Sequence, residues 1–583
     1  MRYSGFAMTL STRHAGLAGA TDAAFPLRKA APLGFGRAHT VVRTVVRPFA
    51  FLAATLLLAA PAVSQSADNN RCASLQQLQL DQAHVLSAEV VAAGSFVAPP
   101  RPTGPNEQIP LYKKLPSFCR VKIQATPTAD SNIQIEVWLP AEGWSGRFHG
   151  EGNGGFAGEI DFGALALALD NNDATAGTDT GHFADGIDAS WALHHPEKIT
   201  DYGWRGVHQM TAQAKAVIGA YYGASAKHSY FTSCSDGGRE ALMEAQRFPA
   251  DYDGILAGAP AYNWTRLLTS AAIGMQALLS DDASYIPATD IPFIHRAILA
   301  NCDKRDGGKD GIIADPPLCH FDPAMLTCKS GHAQNCLTAA QVKSLSAILT
   351  EHKVGDTTIP AILPAGGELD PNGWPSWITG QERGKSAMAG FGYGYFANMV
   401  YDDPKWNFRT FDPVAGLAAA REKTAEALNA TNPDLSAFRD RGGKLIMYHG
   451  WADAAISPIF SIDYYKDVQQ KLGKDETASF SRLYLLPGVQ HCFDGPGPDR
   501  IGQWGLPAMK DSTAANNVIH ALQDWVEDGK APEAITATKY AEGDDHQPNP
   551  HKVVMTRPVC PYPQQAHYKG NGNKKDAASY ECR

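Results

Sequence analysis

Residues 228 to 248 constrain the fold more than any other stretch of the chain. A run of aromatic and β-branched residues from His228 to Thr232 indicates a strand, and Arg239 to Phe248 favours a helix. Only the six residues Ser233 to Gly238, which read Ser-Cys-Ser-Asp-Gly-Gly, separate the two. This spacing predicts a strand, a sharp turn and a helix in direct succession.

Two more strand signals end in polar loops. Lys444 to Tyr448 is followed by a loop that contains Asp453, and Arg482 to Leu486 by a loop that contains His491. Buried strands that alternate with helices and end in polar loops are typical of an α/β sheet. The alternation from Asn132 to Leu139 predicts a further strand with one covered face. The fold class is therefore α/β.

The chain is longer than one core usually supports, since it has 583 residues. With 44% hydrophobic and 19% charged residues, it is too apolar for a disordered chain. Its net charge of -9 provides no basic field for nucleic acid or for an anionic membrane, so neither is an expected partner. No pattern in the sequence sets an oligomeric state.

The first 64 residues differ from the rest, because seven basic residues stand there against one acid. An apolar run from Phe49 to Ala60 is followed by the small residues Ala62-Val63-Ser64, which is the layout of a secretory signal peptide. The run is short for a membrane span, although an N-terminal membrane anchor is the alternative. We predict a signal peptide at 1–64 and a secreted or periplasmic protein that leaves the membrane after cleavage.

All ten cysteines lie beyond residue 64, and their number is even. An oxidising compartment and five disulfides explain this usage best. A zinc site is the alternative, but the chain has no Cys-x-x-Cys pair to supply close ligands.

The character of the chain changes between residues 262 and 430. This stretch holds four of the ten cysteines and many Trp, Gly and Pro residues, with little alternation of strands and helices. We predict an inserted lid domain at 262–430 within a core formed by 65–261 and 431–583.

Ser235 occupies the predicted turn between strand and helix. Small residues flank a nucleophilic serine at such a turn because the strained reversal leaves no room for side chains, and here Ser233 replaces the usual first glycine. A Ser/Gly turn that only caps the helix is the alternative. A serine needs a base and the base an orienting carboxylate, and Asp453 and His491 follow in the α/β-hydrolase order.

Cysteines adjoin two of these residues, since Cys234 precedes Ser235 and Cys492 follows His491. A disulfide between them would bring the serine and the histidine together across 258 residues. Two alternatives remain at this point: Cys234 as the nucleophile and His449 as the base.

An ester hydrolase also needs hydrogen-bond donors for the oxyanion that develops during attack. The backbone N–H of Asp236, directly after the serine, is one candidate. The Gly152-Asn153-Gly154-Gly155 loop could supply the other.

The predicted lid contains an acidic, glycine-rich loop with Asp303, Asp306 and Asp310. Carboxylates spaced by glycines suit a hard cation such as calcium. The loop is not an EF-hand, because Ala314 stands where the bidentate glutamate would be. The alternative is an acidic surface turn closed by a Cys302–Cys319 bridge.

Together these motifs resemble the tannase and feruloyl esterase family of secreted serine esterases, which also includes the bacterial mono(2-hydroxyethyl) terephthalate hydrolase. The likeness extends from about Cys72 to the C-terminus. The matching segments are Tyr230 to Glu240, Arg247 to Pro249, Tyr252 to Ile255, Ala257 to Pro260, Asp440 to Lys444, Tyr448 to Gly450 with Asp453, and Pro487-Gly488 with His491-Cys492.

The resemblance implies an α/β-hydrolase core with a large inserted lid domain. It implies Ser235 as nucleophile, His491 as general base and acid, and Asp453 as the residue that orients His491. The oxyanion hole would consist of the N–H groups of Gly155 and Asp236. The implied disulfides are Cys72–Cys119, Cys234–Cys492, Cys302–Cys319, Cys328–Cys336 and Cys560–Cys582.

The family's structural calcium ion in the lid falls on the side chains of Asp303, Asp306 and Asp310. The carbonyls of Gly308 and Ile312 complete the implied ligand set.

The expected substrate is a small-molecule ester of an aromatic acid, such as a feruloyl or galloyl ester. Candidates to stack on its ring are Trp374, Trp377, Phe391 and Tyr395, with lid core as the alternative for each. The terephthalate-monoester enzyme uses a lid arginine where alignment places Ala387, which disfavours that alternative substrate. Two other hypotheses are a non-catalytic secreted binding protein on the same fold and a calcium-dependent adhesion module.

Overall fold

The computed structural model describes residues 68–305, 309–329, 335–506, 512–542 and 548–583. The predicted signal peptide at 1–64 lies outside these residues, as do Asp306 and Gly308 of the predicted calcium loop. In the described part of the chain, no helix combines the length and the apolar character that crossing a bilayer requires.

The described residues contain fifteen strands. In chain order they are β1 (Ala83–Val91), β2 (Phe118–Ala125), β3 (Ile133–Pro140), β4 (Arg147–Glu151), β5 (Ala174–Thr178), β6 (His228–Cys234), β7 (Gly254–Gly258), β8 (His352–Val354), β9 (Thr357–Ile359), β10 (Lys444–Gly450), β11 (Ser481–Leu486), β12 (Ile535–Glu542), β13 (Pro548–Val559), β14 (Ala566–Tyr568) and β15 (Tyr580–Cys582).

The α-helices connect these strands. They are α1 (Phe162–Asp170), α2 (Pro196–Thr200), α3 (Gly206–Tyr222), α4 (Asp236–Arg247), α5 (Trp264–Leu279), α6 (Ile291–Cys302), α7 (Ala339–Leu349), α8 (Trp374–Trp377), α9 (Ala387–Gly394), α10 (Pro413–Leu428), α11 (Ser436–Asp440), α12 (Ile459–Leu472), α13 (Lys474–Phe480) and α14 (Val518–Asp528).

Nine strands form one mixed sheet in the order β1-β2-β3-β5-β4-β6-β7-β10-β11. The six from β5 to β11 in this order are parallel, and β1, β2 and β3 add antiparallel pairs at the other edge. Strands that run parallel need crossover connections, and helices of the chain supply them. The α/β fold class predicted from the sequence is confirmed.

Both faces of the parallel strands are covered. Successive strand residues point to opposite faces, and Phe231 and Ile255 belong to one hydrophobic cluster whereas Tyr230 and Leu256 belong to another. Side chains buried on both faces are typical of parallel sheets. The core therefore lies on both sides of the strands that carry the candidate catalytic residues.

The prediction that residues 132 to 139 have only one covered face is wrong. β3 is there, but Glu136 and Trp138 on the expected exposed face are buried. Trp138 packs against Phe118 with ring centroids 4.7 Å apart, and Arg120 donates to Glu136 at 2.8 Å. A buried ion pair thus allows a charged residue on a covered face.

The lid segment, residues 262–430, lies between β7 and β10 in the chain, yet these two strands pair directly. The chain therefore leaves the sheet after β7 and returns to the next strand position. The lid segment is mainly helical in its described residues, and many of its apolar side chains, including Met275, Ile294 and Trp374, form a cluster of their own. The limits 262 and 430 of a separate domain stay a prediction.

The ten cysteines form five disulfides on the pairs that the family resemblance implies. These are Cys72–Cys119, Cys234–Cys492, Cys302–Cys319, Cys328–Cys336 and Cys560–Cys582.

Candidate active site

Ser235 lies between the last residue of β6 and the first residue of α4, with φ 68° and ψ -122°. A residue other than glycine rarely adopts such a positive φ, so the turn is strained. A Cβ atom on Gly237 would come within 1.8 Å of the Ser233 Oγ, and one on Gly238 within 2.3 Å of the Gly258 carbonyl oxygen. The small residues around the serine are therefore required by close packing of the backbone.

Three side chains form one hydrogen-bonded chain at the strand ends. The His491 Nε2 lies 2.8 Å from the Ser235 Oγ, and its Nδ1 lies 2.7 Å from the Asp453 Oδ2. Ser235 and His491 are half-buried, whereas Asp453 is buried. This geometry allows His491 to take a proton from the serine hydroxyl while the carboxylate holds the imidazole in place.

Asp453 is tightly held in its loop. Its Oδ1 accepts hydrogen bonds of 2.8 Å from the N–H groups of Ala455 and Ile456. Burial alone would raise the pKa of Asp453, but His491 and the hydrogen bond from His449 hold that pKa well below its usual range. The carboxylate is therefore ionised and can stabilise a charged His491.

The two alternatives to this set of three are not supported by the contacts. The His449 Nε2 lies 3.1 Å from the Asp453 Oδ2, and its Nδ1 lies 2.8 Å from the Ser461 Oγ. Both nitrogens of this ring are therefore engaged by residues other than Ser235. The sulfur of Cys234 is bonded to Cys492, with Cα atoms 6.0 Å apart. That disulfide joins the residue before Ser235 to the residue after His491.

The predicted oxyanion donors border the same cleft as Ser235. Gly155, with φ 62°, follows β4, and Asp236 begins α4. In the part of the chain that the structure describes, neither backbone N–H has a hydrogen-bond acceptor. Both donors are therefore available, and the positive end of the α4 dipole reinforces Asp236.

Buried charges lie behind the turn, on α4. Asp236 and Arg239 form an ion pair of 2.7 Å with both side chains inaccessible to solvent. The Glu240 Oε2 accepts a hydrogen bond of 2.9 Å from the N–H of Asn153, in the loop that leads to Gly155. Burial raises the pKa of Glu240 to about 8, with the nearby charge of Asp236 adding to the shift.

A cleft that is open to solvent leads to Ser235 and is lined mostly by apolar side chains. Concave, mostly apolar sites of this kind are typical for small organic ligands. The lining includes, from the lid segment, Trp264, Leu267, Leu268, Ala271, Pro360, Ile362, Trp377, Met388 and Phe391, and, from the core, Gly155, Ser235, Asp236, Ile456, Phe460 and His491.

Two of the four predicted ring-binding residues are at this cleft. Trp377 lies edge-on to His491 with ring centroids 5.0 Å apart, and it is parallel to Phe391 at 6.1 Å. These two rings and His491 therefore form one wall.

The other two predicted ring-binding residues are elsewhere, so these assignments are corrected. Trp374 is 2% exposed within the hydrophobic cluster of the lid segment. Tyr395 is fully buried, and its hydroxyl lies 2.7 Å from the Thr424 Oγ1. Trp374 therefore packs in the lid core, whereas Tyr395 packs in the large cluster that also contains residues of the sheet.

One helix that lines much of the cleft, α5, was not predicted to do so from the sequence. Trp264, Leu267, Leu268 and Ala271 recur at helical spacing and lie on one face of α5. That periodicity was a usable signal for an apolar face. It could not distinguish a face that lines a cleft from one that packs in the core.

Two of the predicted calcium ligands with carboxylate groups are described. Asp303 is 5% exposed, has no described cationic partner, and accepts long hydrogen bonds from the N–H groups of Asp310 and Gly311 at 3.2–3.3 Å. Asp310 pairs with Arg557 at 3.0 Å. A buried carboxylate without a described counter-ion, inside a loop that folds around it, fits a hard cation. Asp306 and Gly308 lie outside the described residues.

Several known proteins are similar to this chain over most of its length. The family model described as "Tannase and feruloyl esterase" matches residues 119–583. The chain belongs to this family. An uncharacterized esterase of Xanthomonas campestris pv. campestris is 36% identical over 571 residues, which cover 93% of this chain and 95% of that protein.

Similar proteins with more specific names support the same assignment. Feruloyl esterase B of Aspergillus niger is 32% identical over 542 residues, covering 91% of this chain and 99% of that protein. The crystal structure of feruloyl esterase B from Aspergillus oryzae superposes with a TM-score of 0.78 at 29% identity, covering 88% of this chain and 100% of that one. This member of the tannase and feruloyl esterase family thus has an α/β-hydrolase-like fold and is a carboxylic ester hydrolase.

Proposed function

We propose that this chain is a secreted serine esterase that hydrolyses esters of aromatic acids through an acyl-enzyme. The observation that carries the proposal is the hydrogen-bonded set of Ser235, His491 and Asp453 beside an apolar cleft with Trp377 and Phe391 in its wall. A binding protein has no need for a serine, a base and an ionised carboxylate in line.

Acylation begins with attack of the Ser235 Oγ on the ester carbonyl carbon while His491 Nε2 takes the hydroxyl proton. The resulting oxyanion accepts hydrogen bonds from the N–H groups of Gly155 and Asp236. When the carbon–oxygen bond to the alcohol breaks, His491 returns the proton to the leaving oxygen. The alcohol departs, and the acyl group remains on Ser235.

Deacylation repeats these steps with water. His491 removes a proton from a water molecule, and the oxygen of that water attacks the acyl carbon. The bond to the Ser235 Oγ breaks, the serine recovers its proton from His491, and the free acid leaves. Asp453 stays ionised throughout and stabilises the positive charge on the imidazole.

The chemistry of the cleft supports an uncharged aromatic acyl group. Trp377 and Phe391 offer aromatic surface next to His491. No lysine or arginine occurs among the described residues that line the cleft. The free carboxylate of a bound terephthalate monoester would therefore lie in an apolar cleft with no cationic side chain to pair with it. Feruloyl or galloyl esters fit better than that alternative.

Two accompanying proposals concern calcium and compartment. Asp303 and Asp310 would hold a structural calcium ion in the lid segment, with no part in the reaction itself.

Five disulfides fit folding in an oxidising compartment, which supports secretion.

The test of the function is a hydrolysis panel on the purified protein. It compares methyl ferulate, methyl gallate, mono(2-hydroxyethyl) terephthalate and a short aliphatic p-nitrophenyl ester, each with wild type, Ser235→Ala and Ser270→Ala. Ser270 is a second serine that lines the cleft, so its variant is the matched control. We expect fast cleavage of an aromatic-acid ester that only Ser235→Ala abolishes; an active Ser235→Ala variant contradicts the proposal, and an inactive wild type favours the binding-protein alternative.

Calcium is tested by thermal unfolding after exhaustive chelation. We expect a lower melting temperature that added calcium, but not magnesium, restores, because the smaller ion demands a stricter octahedral site. Asp303→Asn should show the low melting temperature without chelation. An unchanged melting curve in chelator contradicts the calcium site.

A further inference from the structure

Tyr202 touches both residues of the proposed oxyanion hole from behind. It lies in a π-helical turn, Asp201–Arg205, directly before α3, and its side chain is inaccessible to solvent. Its hydroxyl lies 2.8 Å from the carbonyl oxygen of Gly155 and 2.9 Å from the Asp236 Oδ1. One buried O–H group is thus shared between two residues that line the cleft.

The Tyr202 side chain is itself held by α4. Arg239 donates through Nε to the Asp236 Oδ1 at 2.7 Å and through its two Nη atoms to the carbonyls of Gly203 and Tyr202. Its guanidinium lies over the Tyr202 ring, 4.8 Å from the centroid. Because all of these groups are buried, their hydrogen bonds are strong and costly to leave unmade, and the tyrosine has little freedom to move.

Other contacts join the same loop to α4, but at different residues. The N–H of Gly237 donates to the Asn153 carbonyl at 2.9 Å, and the N–H of Asn153 donates to the Glu240 carboxyl at 2.9 Å. These bonds hold the loop two residues before Gly155. Among the described side chains, Tyr202 alone is hydrogen-bonded to both Gly155 and Asp236.

We propose that Tyr202 is a positioning residue that sets the distance between the two oxyanion donors, Gly155 and Asp236. This inference rests on the proposed function. Stabilisation of an oxyanion requires each donor at about 2.7–3.1 Å from the position that the charged oxygen will occupy, and a shift of about 1 Å costs a large part of the rate. The effect of Tyr202 is therefore on the transition state rather than on substrate binding.

The experiment compares Tyr202→Phe with Tyr395→Phe. Both tyrosines are fully buried and each loses a hydroxyl that makes buried hydrogen bonds, but the hydroxyl of Tyr395 contacts Thr424 in the lid segment. With the best ester of the panel, we expect kcat of Tyr202→Phe to fall roughly 10- to 100-fold at nearly constant KM. Tyr395→Phe should keep the kcat of the wild type, although its melting temperature should fall by about as much as that of Tyr202→Phe.

A second readout is inhibition by an aryl trifluoromethyl ketone. Its carbonyl carbon bonds to the Ser235 Oγ, the hydroxyl proton moves to His491, and the carbonyl oxygen becomes an oxyanion. We expect the affinity of Tyr202→Phe for this inhibitor to weaken by the same factor as kcat. A folded Tyr202→Phe with wild-type kcat and inhibitor affinity overturns the proposal, as does a rise in KM alone.

The experiment distinguishes failure of the proposed function from failure of the inference about Tyr202. A wild type that cleaves no ester contradicts the proposed function, and the ketone affinities then still test Tyr202. If Tyr202→Phe does not fold, the crystal structure of the wild-type ketone adduct decides. The proposal requires an oxyanion bonded to both N–H groups with both Tyr202 contacts retained, and an oxyanion that lies away from Gly155 overturns it.

Discussion

The strand ends of the core and the lid segment border the same cleft, but the chain specifies them differently. In the core, Ser235 and His491 each adjoin a cysteine of one disulfide, and Asp453 lies three residues beyond β10. In the lid segment, Trp374 and Trp377 lie three residues apart on one short helix, yet only Trp377 reaches the cleft.

The difference shows which kind of information positions a residue. Parallel strands bring their carboxyl ends to one edge of a sheet, so the position of a polar residue just beyond a strand end is restricted to that edge. An aromatic residue in a helical lid can lie either in the core or in the cleft wall, and packing between distant segments decides which. Core positions should therefore respond to substitution mainly in catalysis, and lid positions in binding or stability.

The largest effect should come from Asp453→Asn in the core. The amide cannot stabilise a charged His491, and it replaces an acceptor of two imidazole N–H bonds with a partial donor. We expect kcat on the best ester to fall by about 10³- to 10⁴-fold. Asp463→Asn on α12, which alters a half-buried carboxylate outside the cleft lining, is the control; a loss below tenfold for Asp453→Asn would mean that the strand-end geometry is not catalytic.

Removal of one disulfide from each region sharpens the comparison. Cys234 and Cys492 close a separation of 258 residues, whereas Cys328 and Cys336 in the lid segment close only 8. The loop-entropy relation assigns about 5.5 kcal/mol of unfolding free energy to the first bridge and about 2.5 kcal/mol to the second.

We expect the Cys234→Ala/Cys492→Ala variant to lose activity as well, because the bridge links the residues next to Ser235 and His491. The Cys328→Ala/Cys336→Ala variant should keep its kcat. Urea unfolding and steady-state kinetics measure both quantities. Equal kinetic losses in the two variants would show that the core bridge has no special part in aligning the site.

The two tryptophans of α8 test the lid directly. Trp374→Ala removes a buried ring from the lid core, so we expect a loss of about 3–5 kcal/mol in unfolding free energy with KM little changed. Trp377→Ala removes a ring from the cleft wall, so we expect KM for aromatic esters to rise about tenfold with a small loss of stability. If kinetics and thermal melts instead showed a raised KM for Trp374→Ala and a large loss of stability for Trp377→Ala, then Trp374 would be the cleft residue and Trp377 the core residue.

The smallest effect on catalysis is expected for the charges behind the core turn, which we expect to change the pH dependence of stability instead. The pKa of Glu240 is raised from 4.5 to about 8 in the folded protein, so between these values the folded state keeps a proton that the unfolded state has lost. Stability from this group is present below pH 4.5 and is lost as the pH rises toward 8. The loss is about 1.4 kcal/mol per pH unit at most, midway between the two pKa values.

Glu240→Gln keeps the oxygen that accepts from Asn153 but cannot ionise. We expect its advantage in unfolding free energy over the wild type to grow from pH 5 to pH 8 and then to stay constant, as measured by urea unfolding. Glu422→Gln on α10, an exposed position, gives the baseline. A constant difference across this range would show that Glu240 is ionised throughout.

Much of the core could be predicted from local patterns. The strand predicted at His228 to Thr232 extends to Cys234, and the helix predicted from Arg239 already begins at Asp236. That helix start was missed because Gly237 and Gly238 have low intrinsic helix propensity. They are accommodated there because any larger residue would collide with Ser233 or Gly258.

Features that depend on distant partners escaped the sequence. The buried pairing of Glu136 with Arg120 reverses the expected exposure of one face of β3. Tyr202 gave no motif signal, because its proposed role rests on hydrogen bonds to residues that lie 47 and 34 positions away in the chain.

The sequence by itself determined the α/β class, the family resemblance and the order of Ser235, Asp453 and His491 along the chain. These follow from short-range rules, since strand periodicity, a tight turn and a strand end are properties of a few consecutive residues. Only the tertiary structure decided which lid aromatics reach the cleft and which buried groups contact the loop from Gly152 to Gly155. Those choices depend on packing between segments far apart in sequence, where hydrophobicity alone does not distinguish a core from a cleft.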